Sequence, residues 1–271
     1  MKFDLKNRMK PPFKWVGGKS RLLDQLVPHF PMEFDRLVEP FCGTASLSLA
    51  LEPNASFWIN DLNTEVFAVW VDIRNDWKKF RIKLICLQAE YNKCFDKEAF
   101  YKSIREYTIQ TNVSGRFILL NKAGFNGLYR VNQKGGFNVP WGKREKVALV
   151  PDNLEQLSEH FQRAKITTLP AFEVVEEAKA GDFLYVDPPY HDTFSSYTKE
   201  GFSTDDHTKL ALLCEEAVER GAKVAISNSN TEFIQNLYST WTCHEVLRSG
   251  TISSKSEGRQ PVRELLFTKG Y

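Results

Sequence analysis

Phe183-Leu184-Tyr185-Val186-Asp187-Pro188-Pro189-Tyr190 joins a short apolar run to an acidic turn that contains two prolines. An apolar run of about four to eight residues, ended by a turn signal, reads as a strand buried on both faces. In a parallel sheet of such strands, function gathers in the loops after their carboxyl ends. The pattern recurs at Arg36-Leu-Val-Glu39, Ser56-Phe-Trp-Ile-Asn60 and Lys223-Val-Ala-Ile-Ser227. Helical stretches from Leu62 to Trp77, Asp205 to Arg220 and Thr231 to Tyr238 separate these runs, and Thr242 to Arg248 with Val262 to Thr268 reads as a closing pair of strands. Strands alternating with helices predict an α/β fold with a mostly parallel sheet.

Between Asn63 and about Val150 the strand pattern is absent, and helices lead into a turn-rich stretch from Lys122 to Lys143. The expected organisation is a sheet domain built from residues 1–63 and 151–271 around an inserted helical domain, 64–150.

Two consecutive prolines fix φ and remove two N–H donors, so the turn after Val186 offers carbonyl oxygens beside the carboxylate of Asp187. An exocyclic amine conjugated to a ring is a poor nucleophile until both its hydrogens are accepted. Asp187 and the Pro188 carbonyl supply such acceptors, and Tyr190 supplies a face for a base turned out of a duplex, a stack worth about 1–3 kcal/mol. Alone, the tetrapeptide also describes a rigid acidic turn at a strand end.

Glu39-Pro40-Phe41-Cys42-Gly43-Thr44-Ala45 follows another strand, with a glycine that permits close backbone approach. Asn60-Asp61 then ends the next strand, where a carboxylate can accept from ribose hydroxyls. Glu39, Phe41, Gly43 and Asp61 are therefore candidates for holding a nucleoside-bearing cofactor. Phe13-Lys14-Trp15-Val16-Gly17-Gly18-Lys19-Ser20 ends like a phosphate-binding loop, but Phe13 stands where that motif needs its first glycine. Trp15 can stack on an adenine ring instead, and Lys19 can neutralise a carboxylate such as a methionine tail.

The chain's 271 residues suffice for a full α/β core and a smaller module, and 42% hydrophobic with 26% charged residues excludes a disordered chain. A net charge of +2 neither demands nor excludes a polyanionic partner. Five scattered cysteines without a C-x-x-C pair argue against a disulfide framework or structural zinc, and the histidines, among them His160, His191 and His207, show no ligand spacing. No metal is expected. The basic N-terminus lacks an apolar leader core and no stretch is long enough to span a bilayer, so a cytoplasmic protein without membrane contact is expected.

The three motifs, in this order, together with Asn121-Lys-Ala-Gly-Phe-Asn-Gly-Leu-Tyr-Arg-Val-Asn132 and Phe137-Asn-Val-Pro-Trp-Gly142, resemble the adenine-N6 methyltransferases of the DNA adenine methylase family. The resemblance covers nearly the whole chain and implies a Rossmann-like S-adenosylmethionine-dependent fold with an inserted target-recognition domain. It implies a catalytic turn of Asp187, Pro188, Pro189 and Tyr190, and cofactor contacts from Trp15, Lys19, Asp61 and Asp187. Double-stranded DNA would meet Lys14, Phe125, Asn126, Leu128, Arg130, Asn132, Pro140 and Lys143. It further implies a flipped adenine and a GATC target, read by a protein expected to be monomeric. One departure is Ala45, where the family has glycine. Basic residues that would face phosphates are Lys122, Arg130, Lys134, Lys143, Arg144 and Lys146, with Arg248, Lys255, Arg259 and Arg263 near the C-terminus. Methyl transfer to RNA or protein glutamine, and a non-catalytic DNA-binding module, are the alternatives.

Overall fold

Alternation within one strand sets the layering. The computed structural model describes residues 1–107, 112–192, 202–248 and 262–271. All five residues of β4 (Asp182–Val186) are buried. Successive side chains of a strand point to opposite faces, so Phe183 and Tyr185 enter one apolar cluster while Leu184 and Val186 enter another. β1 (Arg36–Glu39) and β2 (Phe57–Asn60) divide the same way, with Leu37, Phe57 and Ile59 on the first face and Val38 and Trp58 on the second. Strands apolar on both faces need helices on both faces.

The remaining strands are β3 (Ala164–Thr167), β5 (Lys223–Ser229), β6 (Thr242–Arg248) and β7 (Val262–Lys269), and the sheet order is β3-β2-β1-β4-β5-β7-β6. The first five in that order are parallel, while β7 runs antiparallel to both β5 and β6. Chain direction switches sides of the sheet between β1 and β4, where an open α/β sheet leaves a crevice at its carboxyl edge. A bidentate pair from Arg36 to Asp182, 2.7 and 2.8 Å, fixes the register at the start of these two strands.

Helices α1 (Leu23–Leu26), α2 (Thr64–Lys93), α3 (Lys97–Arg105), α4 (Val113–Ala123) and α5 (Leu154–Phe161) contribute to the first cluster. The second face is covered by α6 (Ala171–Glu176), α7 (Thr204–Glu219) and α8 (Glu232–Leu237). Phe117 of α4 packs edge-on to Phe13 at 5.0 Å, and Trp70 of α2 stacks on Phe161 of α5 at 4.6 Å, so the helices within 64–150 share a core with the sheet.

Three details differ from the sequence reading. The helix expected to end at Trp77 continues to Lys93 after a break at Asp76 (φ −155°, ψ 70°), whose carboxylate accepts from Lys79 N and restarts the helix. β3 was not expected, because an edge strand reading Ala-Lys-Ile-Thr buries only its first residue well. β7 lies inside the sheet and β6 at its edge, which no local pattern encodes.

Four side-chain amides bind a distant backbone residue through both its N–H and its C=O: Asn60 on Leu169, Asn92 on Val147, Asn121 on Lys14 and Gln25 on Leu247. Each side chain reproduces one rung of a sheet ladder, Gln25 on the open edge of β6 and the other three on residues outside the sheet.

Candidate active site

A cavity of about 1070 Å³ opens at the carboxyl ends of β1, β2 and β4. Trp15, Lys19, Glu39, Phe41, Gly43, Asp61, Asp187, Pro188, Pro189 and Tyr190 all line it, so the three motifs far apart in sequence meet in one place. The sheet order explains this, since β1 lies between β2 and β4 and each motif follows, or packs over, one of these strands.

Lys19 is only 5% exposed, and its ammonium donates to Asp187 Oδ2 (2.6 Å) and to the Gly17 carbonyl (2.8 Å). One of its three N–H groups remains for a ligand carboxylate. Asp187 Oδ1 is buried without a hydrogen-bond partner. Burial holds the Asp187 carboxyl above its ordinary range, and Lys19 pulls the other way. A buried, unpartnered acceptor is costly, so this oxygen is set for an incoming donor.

Glu39 ends β1 fully within the protein, accepting from Ser48 N (3.0 Å) and Ser48 Oγ (2.5 Å) through one oxygen. Burial pushes its pKa up to about 7, and the Asp187 charge adds to that. Asp61 accepts from Gly43 N through Oδ2 and from Asn63 N through Oδ1, both at 2.9 Å, so each oxygen keeps a lone pair for a second donor. Its carboxyl is raised by burial, against those two backbone donors. With Glu39, Asp61 and Asp187 against the ammonium of Lys19, the walls carry an excess of negative charge.

Gly43 adopts φ +46°, and a Cβ there would come within 2.7 Å of the Trp15 indole. Its carbonyl accepts from Trp70 Nε1 at 3.1 Å. Two residues on, Ala45 also has positive φ (49°) while fully buried. Such a backbone suits the glycine that the family resemblance implies at this position. The Ala45 methyl joins the core, while its neighbours Thr44 and Ser46 line the cavity.

The turn-rich stretch after α4 forms a further wall of the cavity through Tyr129, Val131 and Gly135. Buried Asn121 ties it to the N-terminal motif: its side chain bonds Lys14 N (2.9 Å), Lys14 O (2.8 Å) and Gly127 O (3.0 Å). Lys14 is exposed, as are Phe125, Asn126, Arg130, Asn132, Pro140 and Lys143, whereas Leu128 is half-buried against the core. Phe125 and Pro140 are joined through Phe125 N and the Pro140 carbonyl at 2.9 Å. Asn132 closes its own turn by accepting from Lys134 N and Gly136 N. Arg130 donates through Nε and Nη2 to Asn138 (2.7 and 3.2 Å), which fixes the guanidinium and leaves its Nη1 side outward, and among the described residues it makes no ion pair. The Lys122 ammonium is lowered by burial and by Lys14 beside it, two cations gathered on one surface. Lys255 and Arg259 lie outside the described residues.

Several lining groups escaped the sequence reading. Pro170, Ala171 and Phe172 follow the unforeseen β3, and Phe202, Ser203 and Asp206 open α7 with a capping box. Ser203 followed by Asp206 ahead of an apolar-periodic run was the available signal for the latter. Tyr129, tilted against Trp15 at 5.1 Å and bonded to Glu65 at 2.9 Å, sat unremarked inside a motif already noted. Among the described residues no group of three or more His, Cys, Asp or Glu is placed to hold a metal ion, and no helix is long and apolar enough to cross a membrane.

The family model for D12 class N6 adenine-specific DNA methyltransferases matches residues 15–252. The chain is 33% identical to the type II methyltransferase M.MjaIII of Methanocaldococcus jannaschii, over 96% of this chain and 98% of that protein. It is 34% identical to a DNA adenine methylase of Vibrio cholerae, over 93% of each. Identity to the DNA adenine methylase of Escherichia coli K12 is 30%, over 93% of this chain and 92% of that protein. The matched region runs from Trp15, where the N-terminal motif enters the cavity, past β4 and its Asp187 turn, and the chain belongs to the D12 class of N6 adenine-specific DNA methyltransferases.

Proposed function

We propose that this adenine-specific DNA methyltransferase takes its methyl group from S-adenosylmethionine and places it on an adenine turned out of duplex DNA, within GATC. The observation that carries the reading is the buried, unpartnered Oδ1 of Asp187 in a cavity whose other walls suit a cationic nucleoside. The volume, about 1070 Å³, lies just above the range for single small-molecule sites, about 300–1,000 Å³, which suits a cofactor and a base together.

The residues fit the cofactor. Asp61 has lone pairs to accept from ribose hydroxyls, Trp15 offers an indole over the glycine turn, and Glu39 with Asp187 favours a positively charged ligand. Lys19 keeps one donor for a carboxylate tail. When bound, S-adenosylmethionine would supply a methyl group whose bond to sulfur breaks as an in-line nucleophile takes it, releasing the neutral thioether. Asp187 Oδ1 and the Pro188 carbonyl accept from the adenine amine and free its lone pair, Tyr190 borders the base, and a cofactor and base filling the cavity together would displace its water. The exposed groups Lys14, Phe125, Asn126, Arg130, Asn132, Pro140 and Lys143 form the DNA-facing surface, with Leu128 beside them. In this reading residues 1–63 and 151–271 perform the transfer, 64–150 read the target, and a monomer acts in the cytoplasm, where DNA is available and the five cysteines stay reduced.

Asp187→Ala is expected to abolish transfer while leaving duplex binding in place, as measured by tritium transfer and by filter binding. Long-read sequencing of DNA from a methylation-free host expressing the wild type identifies the base and its context. Near-normal turnover of the variant would end the mechanism, and marks outside GATC would end the target assignment.

A further inference from the structure

Tyr190 is backed by a carboxylate from the far end of the chain. Glu264 lies on β7, opposite Ser229 of β5 and Val246 of β6, and is 3% exposed. Its Oε2 accepts from the Tyr190 hydroxyl at 2.8 Å, and its Oε1 pairs with Arg248 Nε at 2.9 Å. Arg248 lines the cavity. The three residues after Glu264, Leu265 to Phe267, are buried and apolar. The Arg248 side chain is 43% exposed, and a pair with one end in solvent adds little to folding. Oε1 of Glu264 ties β7 to Arg248 of the neighbouring β6, whereas Oε2 serves only the Tyr190 hydroxyl at the cavity, which points to a role in the site.

We propose that Glu264 is a positioning residue for methyl transfer, fixing the Tyr190 ring at the target base and, balanced by Arg248, setting the charge that surrounds Asp187. The inference rests on the reading that Asp187 and Tyr190 meet the target adenine. A tyrosine ring has two soft torsions, and a hydrogen bond at its far end removes the freedom that Pro189 at the near end leaves. Lys19 Nζ lies 5.0 Å from the ring centroid, so the same ring also borders the cation that holds Asp187. The charged and titratable groups facing Asp187 are Lys19 from the N-terminal motif, Glu39 from β1, Tyr185 from β4, Tyr190 from its own turn and Glu264 from β7, with Arg248 of β6 behind Glu264. Among them, Glu264 makes the Asp187 carboxylate harder to ionise.

The test is single-turnover methyl transfer as a function of pH for wild type, Glu264→Gln, Tyr190→Phe, the double variant and Arg248→Gln, with cofactor and duplex dissociation constants measured alongside. Tyr190→Phe removes the hydroxyl from both Glu264 and Asp187, and Glu264→Gln weakens the first of these bonds by taking the charge from its acceptor. Tyr190→Phe is expected to slow transfer about tenfold and Glu264→Gln by less, with both dissociation constants unchanged, and the double variant to be no slower than Tyr190→Phe. If transfer needs ionised Asp187, its acid limb tracks the Asp187 pKa. The limb moves to lower pH in Glu264→Gln, where a repelling charge is gone, and to higher pH in Arg248→Gln, where Glu264 is left unbalanced. Opposite shifts are not produced by loosened packing. Should Glu264→Gln fail to fold, the Arg248→Gln shift and the Tyr190→Phe rate carry the test. Singles whose effects multiply in the double variant, or acid limbs that coincide in all variants, overturn the inference. Activity retained in Asp187→Ala instead sinks the underlying reading of the site, and this inference with it.

Discussion

Ala45 holds a left-handed backbone conformation that costs a residue with a Cβ about 1–2 kcal/mol relative to glycine. Its methyl is fully buried, worth about 0.8 kcal/mol, and glycine would add about 0.4–1 kcal/mol of unfolded-state entropy. These opposing effects nearly cancel, and the methyl points into the core. Ala45→Gly is therefore expected to leave the melting temperature and the cofactor dissociation constant close to wild type, and a clear loss of affinity would mean that the methyl shapes the loop. Arg130 poses a different residue-scale question. Its guanidinium is oriented by Asn138 and unpaired by any acid among the described residues, as a group that reads a base edge needs to be. Bidentate recognition of guanine gives about 1–3 kcal/mol of discrimination. Arg130→Ala is expected to compress the ratio of kcat/KM between the preferred site and sites changed at one guanine, whereas Lys134→Ala lowers both together. A preserved ratio with only a shallower salt dependence would place Arg130 on phosphate.

The sequence was legible at the level of elements wherever both faces of a strand are buried. β1 starts and ends where the sequence pattern places it, and β2, β4 and β5 do so to within two residues, because apolar side chains on both faces leave no other reading. β6 and β7 were also placed to within one residue, although β6 is mostly exposed and was read only as one of a closing pair. β3 and the second half of α2 were not legible: the first shows too little alternation, and the second is interrupted by Asp76. Asp61 and Asp187 could be named as site residues because each sits beside a strand end, and Trp15 because it lies in a glycine turn next to Lys19, but their partners could not. Glu264 reads as an ordinary strand residue until β7 is known to lie next to β5. Asn121 likewise looks like a mid-helix asparagine, yet it joins α4 to Lys14 and Gly127 by three hydrogen bonds. Asn121→Ala leaves Lys14 N and two carbonyls unpaired, at about 1–3 kcal/mol for each buried group lost. The expected outcome is a lower melting temperature and a raised KM for duplex DNA, with the cofactor dissociation constant retained. An unchanged KM for DNA would show that the N-terminal motif needs no such anchor.

Across the whole molecule, two buried groups pull stability in opposite directions over the same pH range. Glu39 is raised from 4.5 to about 7 in the folded protein, so its contribution is present below pH 4.5 and lost as pH rises through 7. Asp61 and Asp187 are shifted the same way. His207, buried and with Nε2 unpartnered, is lowered from 6.5 to about 4, so its contribution is present above pH 6.5 and lost as pH falls through 4. Against Glu39→Gln, wild type is expected to lose melting temperature as pH rises across the window from 4.5 to 7. Against His207→Phe it is expected to lose it as pH falls from 6.5 to 4. Parallel curves for wild type and either variant would show that the group titrates normally. The amides that clasp Lys14, Val147, Leu169 and Leu247 carry a consequence for how such a protein can change. Each grips only the peptide N–H and C=O of its partner, groups that every residue but proline supplies. At Lys14 and Leu247, whose side chains are exposed, a lineage can therefore rewrite the chemistry the surface presents without loosening the attachment, whereas Val147 and Leu169 are held by the apolar clusters as well; the clasp itself bars only proline from all four.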